Sequence, residues 1–206
     1  MRMVHKISLS LPLLLLLSAC SEAPKPVVKK EPAKPPEPVS ALTAVYKMYQ
    51  QARGWAPDCK ILRVGSLDLK EVPSQGGKAG AWEATFVSEG SRVSRRFTFS
   101  AVDLPASSLP LGVAGSPQDS WNGSGQAEPF YIQALKIDST AAYETAMKKG
   151  ADYATKHTNM PVIFLLEKTK RFPNPAWRVV WGESVATSSF SVYVDATLGD
   201  YLQTMH

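Results

Sequence analysis

Gly80-Ala81-Trp82-Glu83-Ala84-Thr85-Phe86, with a second stretch of the same kind at Pro175-Ala176-Trp177-Arg178-Val179-Val180-Trp181, decides how this chain is read. In the first, Trp82, Ala84 and Phe86 alternate with Glu83 and Thr85. In the second, Trp177, Val179 and Trp181 share one side of the alternation. Successive side chains of a strand point to opposite faces, so each stretch predicts a strand with one apolar face turned to a core. Phe97, Phe99 and Ala101 extend the pattern on one side, and Phe190, Val192 and Val194 on the other. The apolar run 162–166 is too short for a helix and predicts a buried strand. Residues 61–69 are the least regular strand, and Tyr201 with Leu202 starts a short final one. Gly76-Gly77, Glu89-Gly90 and Phe172-Pro173-Asn174-Pro175 read as turns.

A helix precedes each group of strands. Ser40 is placed to cap a helix over 40–53, with Leu42, Val45, Tyr46, Tyr49 and Ala52 as its stripe and Gly54 as its stop. A second helix over 139–157 carries Tyr143, Met147, Gly150 and Ala154 on one face and is ended by Pro161. The helix starts lie 99 residues apart, the tryptophans Trp82 and Trp177 95, and Phe97 and Phe190 93. The expected fold class is therefore α+β: two tandem units, each a helix plus a three- or four-stranded antiparallel sheet, over 40–103 and 139–206. The Gly/Pro-rich stretch 104–138 reads as a connecting loop. It is either a linker pinned by its aromatics or a binding loop using Trp121, Phe130 and Tyr131.

Composition narrows the function classes. The 206 residues are 44% hydrophobic and 20% charged, with a formal net charge of +5. Residues 40–206 hold 17 basic against 15 acidic side chains, a net of +2, which gives no footprint for nucleic-acid binding. Of the two cysteines, Cys20 lies near the start and Cys59 deep in the chain. Cys59 is a small buried apolar residue on one reading, and a reactive or intermolecular thiol on the other.

The first residues read as an address. Arg2 and Lys6 precede an apolar stretch over 7–17, far shorter than the roughly 20 residues of a membrane-spanning helix. Leu17-Ser18-Ala19-Cys20 resembles the bacterial lipobox. That resemblance implies a lipoprotein signal peptide over 1–19 and a diacylated Cys20 as membrane anchor. Ser21 after the cysteine favours the outer membrane, facing the periplasm. Residues 20–39 hold six prolines interleaved with Lys and Glu, a composition that buries too little surface to fold. Extended as polyproline II, they span roughly 50–60 Å.

The second half resembles a PepSY-type unit, at Pro175-Ala176-Trp177-Arg178-Val179 and at Val192-Tyr193-Val194-Asp195-Ala196-Thr197-Leu198-Gly199-Asp200. The first half matches only at Phe99-Ser100-Ala101-Val102-Asp103. Tandem units of this sort also resemble cystatin-like folds and the β-lactamase inhibitor proteins. These resemblances imply binding or inhibition of a protein rather than catalysis.

The residues themselves offer little chemistry. The histidines are His5, His157 and His206, so any zinc site or catalytic triad would depend on His157, which suits a helix C-terminus equally well. Glu167 and Glu183 are considered as an acid/base pair and Asp195 with Asp200 as a cation site, although turn chemistry explains the latter. The expectation is a non-enzymatic, membrane-anchored module with no cofactor and no metal. It would bind another envelope or secreted protein, or inhibit a peptidase, through a concave sheet face bearing aromatics such as Trp181 and Tyr193. The alternative is a structural or assembly lipoprotein of the outer membrane.

Overall fold

In the computed structural model, alternation and helical periodicity become two helices and ten strands within the described residues, Pro35–His206. The expected signal peptide over 1–19, Cys20 and the expected stalk as far as residue 34 lie outside the described residues. The first half runs β1 (Val39–Ser40), α1 (Ala41–Trp55), β2 (Lys60–Leu67), β3 (Lys78–Ala79), β4 (Ala81–Ser88), β5 (Val93–Ser100) and β6 (Gly112–Ser120). The second runs α2 (Ser139–Lys156), β7 (Val162–Glu167), β8 (Ala176–Trp181), β9 (Phe190–Asp195) and β10 (Tyr201–Met205). The chain is thus α+β.

Eight strands form one antiparallel sheet in the order β10-β9-β8-β7-β2-β4-β5-β6, with β1 and β3 as a separate small pair. β2 and β7, the first sheet strand of each half, meet at the centre through Arg63 with Glu167, Val64 with Leu166 and Gly65 with Leu165. The halves therefore share a sheet and a core instead of standing as two bodies on a linker. Both helices lie on one face of that sheet, α1 against β4, β5 and β6, and α2 against β8, β9 and β10.

The stretch 104–138 departs from expectation. It is not a structureless connection: it holds β6 and two short 3-10 turns, Pro105–Ser107 and Ile132–Ala134. β6 is an edge strand, where Gly112, Gly115 and Pro117 are tolerated because one side of its backbone needs no partner. Its register shifts opposite Arg95 and Phe97, a bulge placed where Gly115 leaves room for the Phe97 ring. Glycine and proline hid this strand from any period-2 reading.

The helices also sit differently from their expected stripes. α1 buries Ala41, Ala44, Val45, Met48 and Ala52, while Tyr46 is half exposed. α2 buries Ser139, Ala142, Ala146 and Gly150. Val45 and Met48 apart, the helix residues turned to the sheet are small, because the core volume is already filled from below by Trp82, Phe86, Phe164, Trp177, Trp181 and Phe190. Large helical residues such as Tyr49, Tyr143 and Met147 pack at the margin. Ser40 precedes α1 without a capping bond from its side chain. Instead Ala41 N–H donates to Ser139 Oγ (2.9 Å) and Leu42 N–H to Asp138 Oδ1 (3.0 Å), so the residues opening α2 cap both helices.

Candidate functional site

The face of the sheet opposite the helices carries the polar side of every alternation. One row across it runs Tyr193, Arg178, Leu165, Gly65, Glu83, Thr98, and the next runs Glu167, Arg63, Thr85, Arg96. Arg63 Nε stands 3.5 Å from Glu167 Oε1, and Arg96 Nη1 stands 3.5 Å from Glu83 Oε2. These pairs are partly exposed, and pairs of that kind contribute about 0–1 kcal/mol. Their role is to set the charge pattern of the face more than its stability.

Over the second half this face is walled into a cleft of about 750 Å³. Its floor is Arg63, Leu165, Glu167, Arg178 and Tyr193; residues 121–129 and Thr169–Phe172 wall it. The 121–129 wall is tied down at both ends. Trp121 N–H donates to Arg92 O (2.8 Å), Glu128 N–H to Lys168 O (2.7 Å), and Phe130 exchanges backbone bonds with Ile61. Lys168 Nζ reaches Glu128 Oε2 (3.4 Å) and the Phe172 carbonyl (3.1 Å), joining the two walls.

Two guanidinium groups flank the Tyr193 ring, Arg171 at 4.9 Å and Arg178 at 5.6 Å from its centroid. Arg171 also donates to Gln203 Oε1 on β10 (2.7 Å) and lies 5.5 Å from the Phe172 ring. Arg178 Nε donates to Ser191 Oγ (3.0 Å), which anchors the guanidinium of a residue that lines the cleft. Beside them burial pushes the Glu167 carboxyl above the ordinary carboxylate range, opposed by the charges of Arg63 and Arg178.

The expected binding aromatics do not form one set. Trp121 and Tyr193 line the cleft. Phe130 is buried and serves as an anchor of the wall, and Tyr131 is exposed away from the cleft with Lys60 Nζ 4.8 Å from its ring. Trp181, expected on the binding face, does not lie there. It is 2% exposed on the helix face, packed on Tyr153 and Phe190, so it is a core residue and cannot share a binding face with Tyr193. The reason is parity: Trp181 pairs with Phe190, and Tyr193 is an odd number of positions further along β9. Cys20, the expected lipidation residue, lies outside the described residues.

The other chemistry resolves simply. Glu167 and Glu183 lie at opposite ends of the β7–β8 ladder, so they form no pair. Asp195 accepts from Thr197 N–H (2.7 Å), Leu198 N–H (2.9 Å) and Asn174 Nδ2 (3.0 Å), and Gly199 turns at φ +86°, so this is turn chemistry. His157 Nδ1 bonds the Tyr153 carbonyl (2.9 Å) and its ring stacks on Tyr153. Among the described residues no three His, Cys, Asp or Glu cluster as a metal site, and no helix is long and apolar enough to cross a membrane.

Arg63, Arg171, Arg178 and Phe172 were not singled out from the sequence. The available signal was the alternation itself, since the residues between Trp177, Val179 and Trp181 had to face the other way.

No protein-family model and no curated protein matches the chain. The PepSY-type resemblance of the second half therefore rests on its quoted residues alone. Among solved structures, the fold is similar to the crystal structure of a candidate lipoprotein from Clostridium difficile 630. The identity is 14%, over 81% of this chain and 91% of that one, with a TM-score of 0.44.

Proposed function

We propose that this chain is a non-enzymatic lipoprotein of the bacterial envelope, anchored through Cys20, whose folded region holds a protein partner in the cleft on its open sheet face. The anchor reading is supported by Arg2, Lys6, the leucine-rich stretch and Leu17-Ser18-Ala19-Cys20. Ser21 favours the outer membrane, and the proline-rich residues 20–39 act as a spacer. The binding reading is carried by one observation: a walled cleft in which Tyr193 is held between two arginines. Tyr, Trp and Arg are the side chains that most often dominate protein interfaces, because they give large contact area with a polar end. Inhibition of a peptidase is one form such binding takes. Descent of the two halves from one helix-plus-strands unit belongs to the same reading. It is supported by the matched Trp82 and Trp177, each donating to the backbone just ahead of its half's helix.

Photoreactive benzoylphenylalanine placed at Tyr193 in cells tests the cleft, with placement at Tyr46 on α1 as control. A discrete protein adduct at Tyr193 and none at Tyr46 is expected. Equal adducts at both positions, or none, would overturn the binding reading. A palmitate analogue should label the unmodified chain and not Cys20→Ser; equal labelling of both would overturn the anchor.

A further inference from the structure

The charges lining the cleft do not balance. Arg63, Lys170, Arg171 and Arg178 face Glu128 and Glu167, and each glutamate already has a cation beside it: Lys168 for Glu128, and Arg63 for Glu167. Arg178 shares Glu167 with Arg63, so with Lys168 counted five cations stand against two carboxylates, and the cleft keeps a positive surplus centred on Lys170, Arg171 and Arg178, in a folded region whose net charge is only +2. A local surplus of this kind attracts an anionic partner and disfavours a cationic one.

The donors are shaped as well as charged. Arg178 is clamped through Nε to Ser191, so its terminal amino groups present a fixed fork, the geometry that matches a carboxylate with two parallel bonds. Arg171 is held by Gln203 and by the faces of Tyr193 and Phe172. Both groups are thus ordered before a ligand arrives, and little side-chain entropy remains to be lost on binding. The cleft is also a trough. It continues over Leu165 and Arg63 into a second hollow lined by Gly65, Thr85, the Arg96–Glu83 pair and Glu183, so the positive surplus lies at the Tyr193 end. An extended chain fits a trough of this form, and a compact ion does not need one.

Building on the cleft reading above, we infer that the occupant is an extended, acidic peptide segment of the partner, rich in aspartate or glutamate. Its carboxylates bond the Arg178 fork and pair with Arg171 and Lys170, while Tyr193 and Trp121 cover its backbone. A basic or neutral segment of the same length leaves those cations without partners.

The test uses the full chain in detergent and the fluorescence anisotropy of labelled peptides. One peptide alternates Glu with Ser, a second alternates Lys with Ser, and citrate serves as a small carboxylate. The acidic peptide should bind, the lysine peptide should not, and affinity should fall steeply with added salt. Arg178→Gln should weaken binding at least about tenfold, as expected for loss of hydrogen bonds to a charged group. Arg178→Lys should recover part of it, and Lys148→Gln on α2 should change nothing. If Arg178→Gln fails to fold, the double variant Lys170→Gln and Arg171→Gln, at two exposed positions, gives the same reading. Equal binding of both peptides, citrate binding as tightly as the acidic peptide, or full affinity in the arginine variants would overturn the inference. If the Tyr193 crosslink forms while the acidic peptide fails, only the acidic class is overturned. If the crosslink is absent, the cleft reading falls with it.

Discussion

The indole rings of Trp82 and Trp177 meet edge to face, 6.4 Å between centroids, and each Nε1–H donates to a carbonyl just ahead of a helix. Trp82 donates to Val39 O (3.0 Å) and Trp177 to Ile137 O (2.8 Å). Phe164 lies 6.0 Å from one ring and 6.4 Å from the other, so a single aromatic cluster joins the halves. Truncating a buried tryptophan typically costs about 3–5 kcal/mol, and here each truncation also frees a backbone carbonyl. Trp82→Ala and Trp177→Ala should each lose about that much by chemical denaturation. The double variant should depart from additivity by about 0.5–3 kcal/mol, because the rings touch. Trp121→Ala, in the wall of the cleft, should cost under about 1.5 kcal/mol. Additive losses, or an equal loss at Trp121, would contradict a core organised around the tryptophan pair.

Asp138 carries a second link between the halves. Its Oδ1 accepts from Ser139 N–H (2.7 Å) at the start of α2 and from Leu42 N–H (3.0 Å) in the first turn of α1. One carboxylate thereby satisfies orphan donors of two helices and sits at the positive end of both dipoles. A single N-cap is worth about 0.5–2 kcal/mol. Asp138→Ala should therefore cost about 2 kcal/mol or more. Ser40→Ala should change stability by under about 0.5 kcal/mol, since the Ser40 side chain makes no capping bond. Thermal unfolding of the two variants side by side decides this; a larger loss at Ser40 would refute the shared cap.

These two predictions also mark what the sequence could and could not disclose. The strand faces at Trp82, Phe86, Trp177 and Val179 were legible because alternation is a local signal that burial on one face enforces. The spacing at Ser40 fits the local capping rule, yet the groups that cap α1 come from 96 and 98 positions further along the chain, beyond the reach of a local signal. Strand β6 leaves no local signal, because Gly112, Gly115 and Pro117 erase the alternation at a sheet edge. For the cleft, Trp121 and Tyr193 were visible as aromatics. Arg178 is silent in the sequence, because its partners Ser191 and Tyr193 lie on another strand and only the register of β8 with β9 brings them together.

Two helical glycines should respond differently to alanine. A Cβ at Gly150 would stand 2.9 Å from Phe190 Cε1 and 3.2 Å from Trp181 Cη2, between rings that the core holds in place. Overpacking of this kind costs about 1–3 kcal/mol, which outweighs a helix-propensity gain of about 1 kcal/mol at most. Gly150→Ala should lower stability or leave it unimproved. Gly54, in the last turn of α1, has no atom within 4 Å of an added Cβ. There the propensity term acts alone, and Gly54→Ala should raise stability by about 0.5 kcal/mol. A clear gain at Gly150 would show that α2 stands further from the sheet than described.

Cys59 is buried at the turn from α1 into β2, 4% exposed, with the Asp58 carboxylate next to it in sequence. Burial first, and Asp58 second, push its thiol from an ordinary 9.0 up to about 11. The thiolate is the reactive form, so at pH 8 the folded chain should react with iodoacetamide far more slowly than the chain in denaturant. The same shift fixes the sign of a pH effect. The folded pKa lies above the unfolded one, so the stabilising contribution is complete below about pH 9 and is lost as pH rises towards 11. Comparing the unmodified chain with Cys59→Ala across that window isolates the contribution from other groups that titrate there. The difference in stability between the two should stay constant up to about pH 9 and then move against the cysteine-bearing chain. Rapid alkylation of the folded protein at pH 8, or a difference that stays flat to pH 11, would show that the thiol is neither shielded nor shifted, and would reopen the reading of Cys59 as a reactive group.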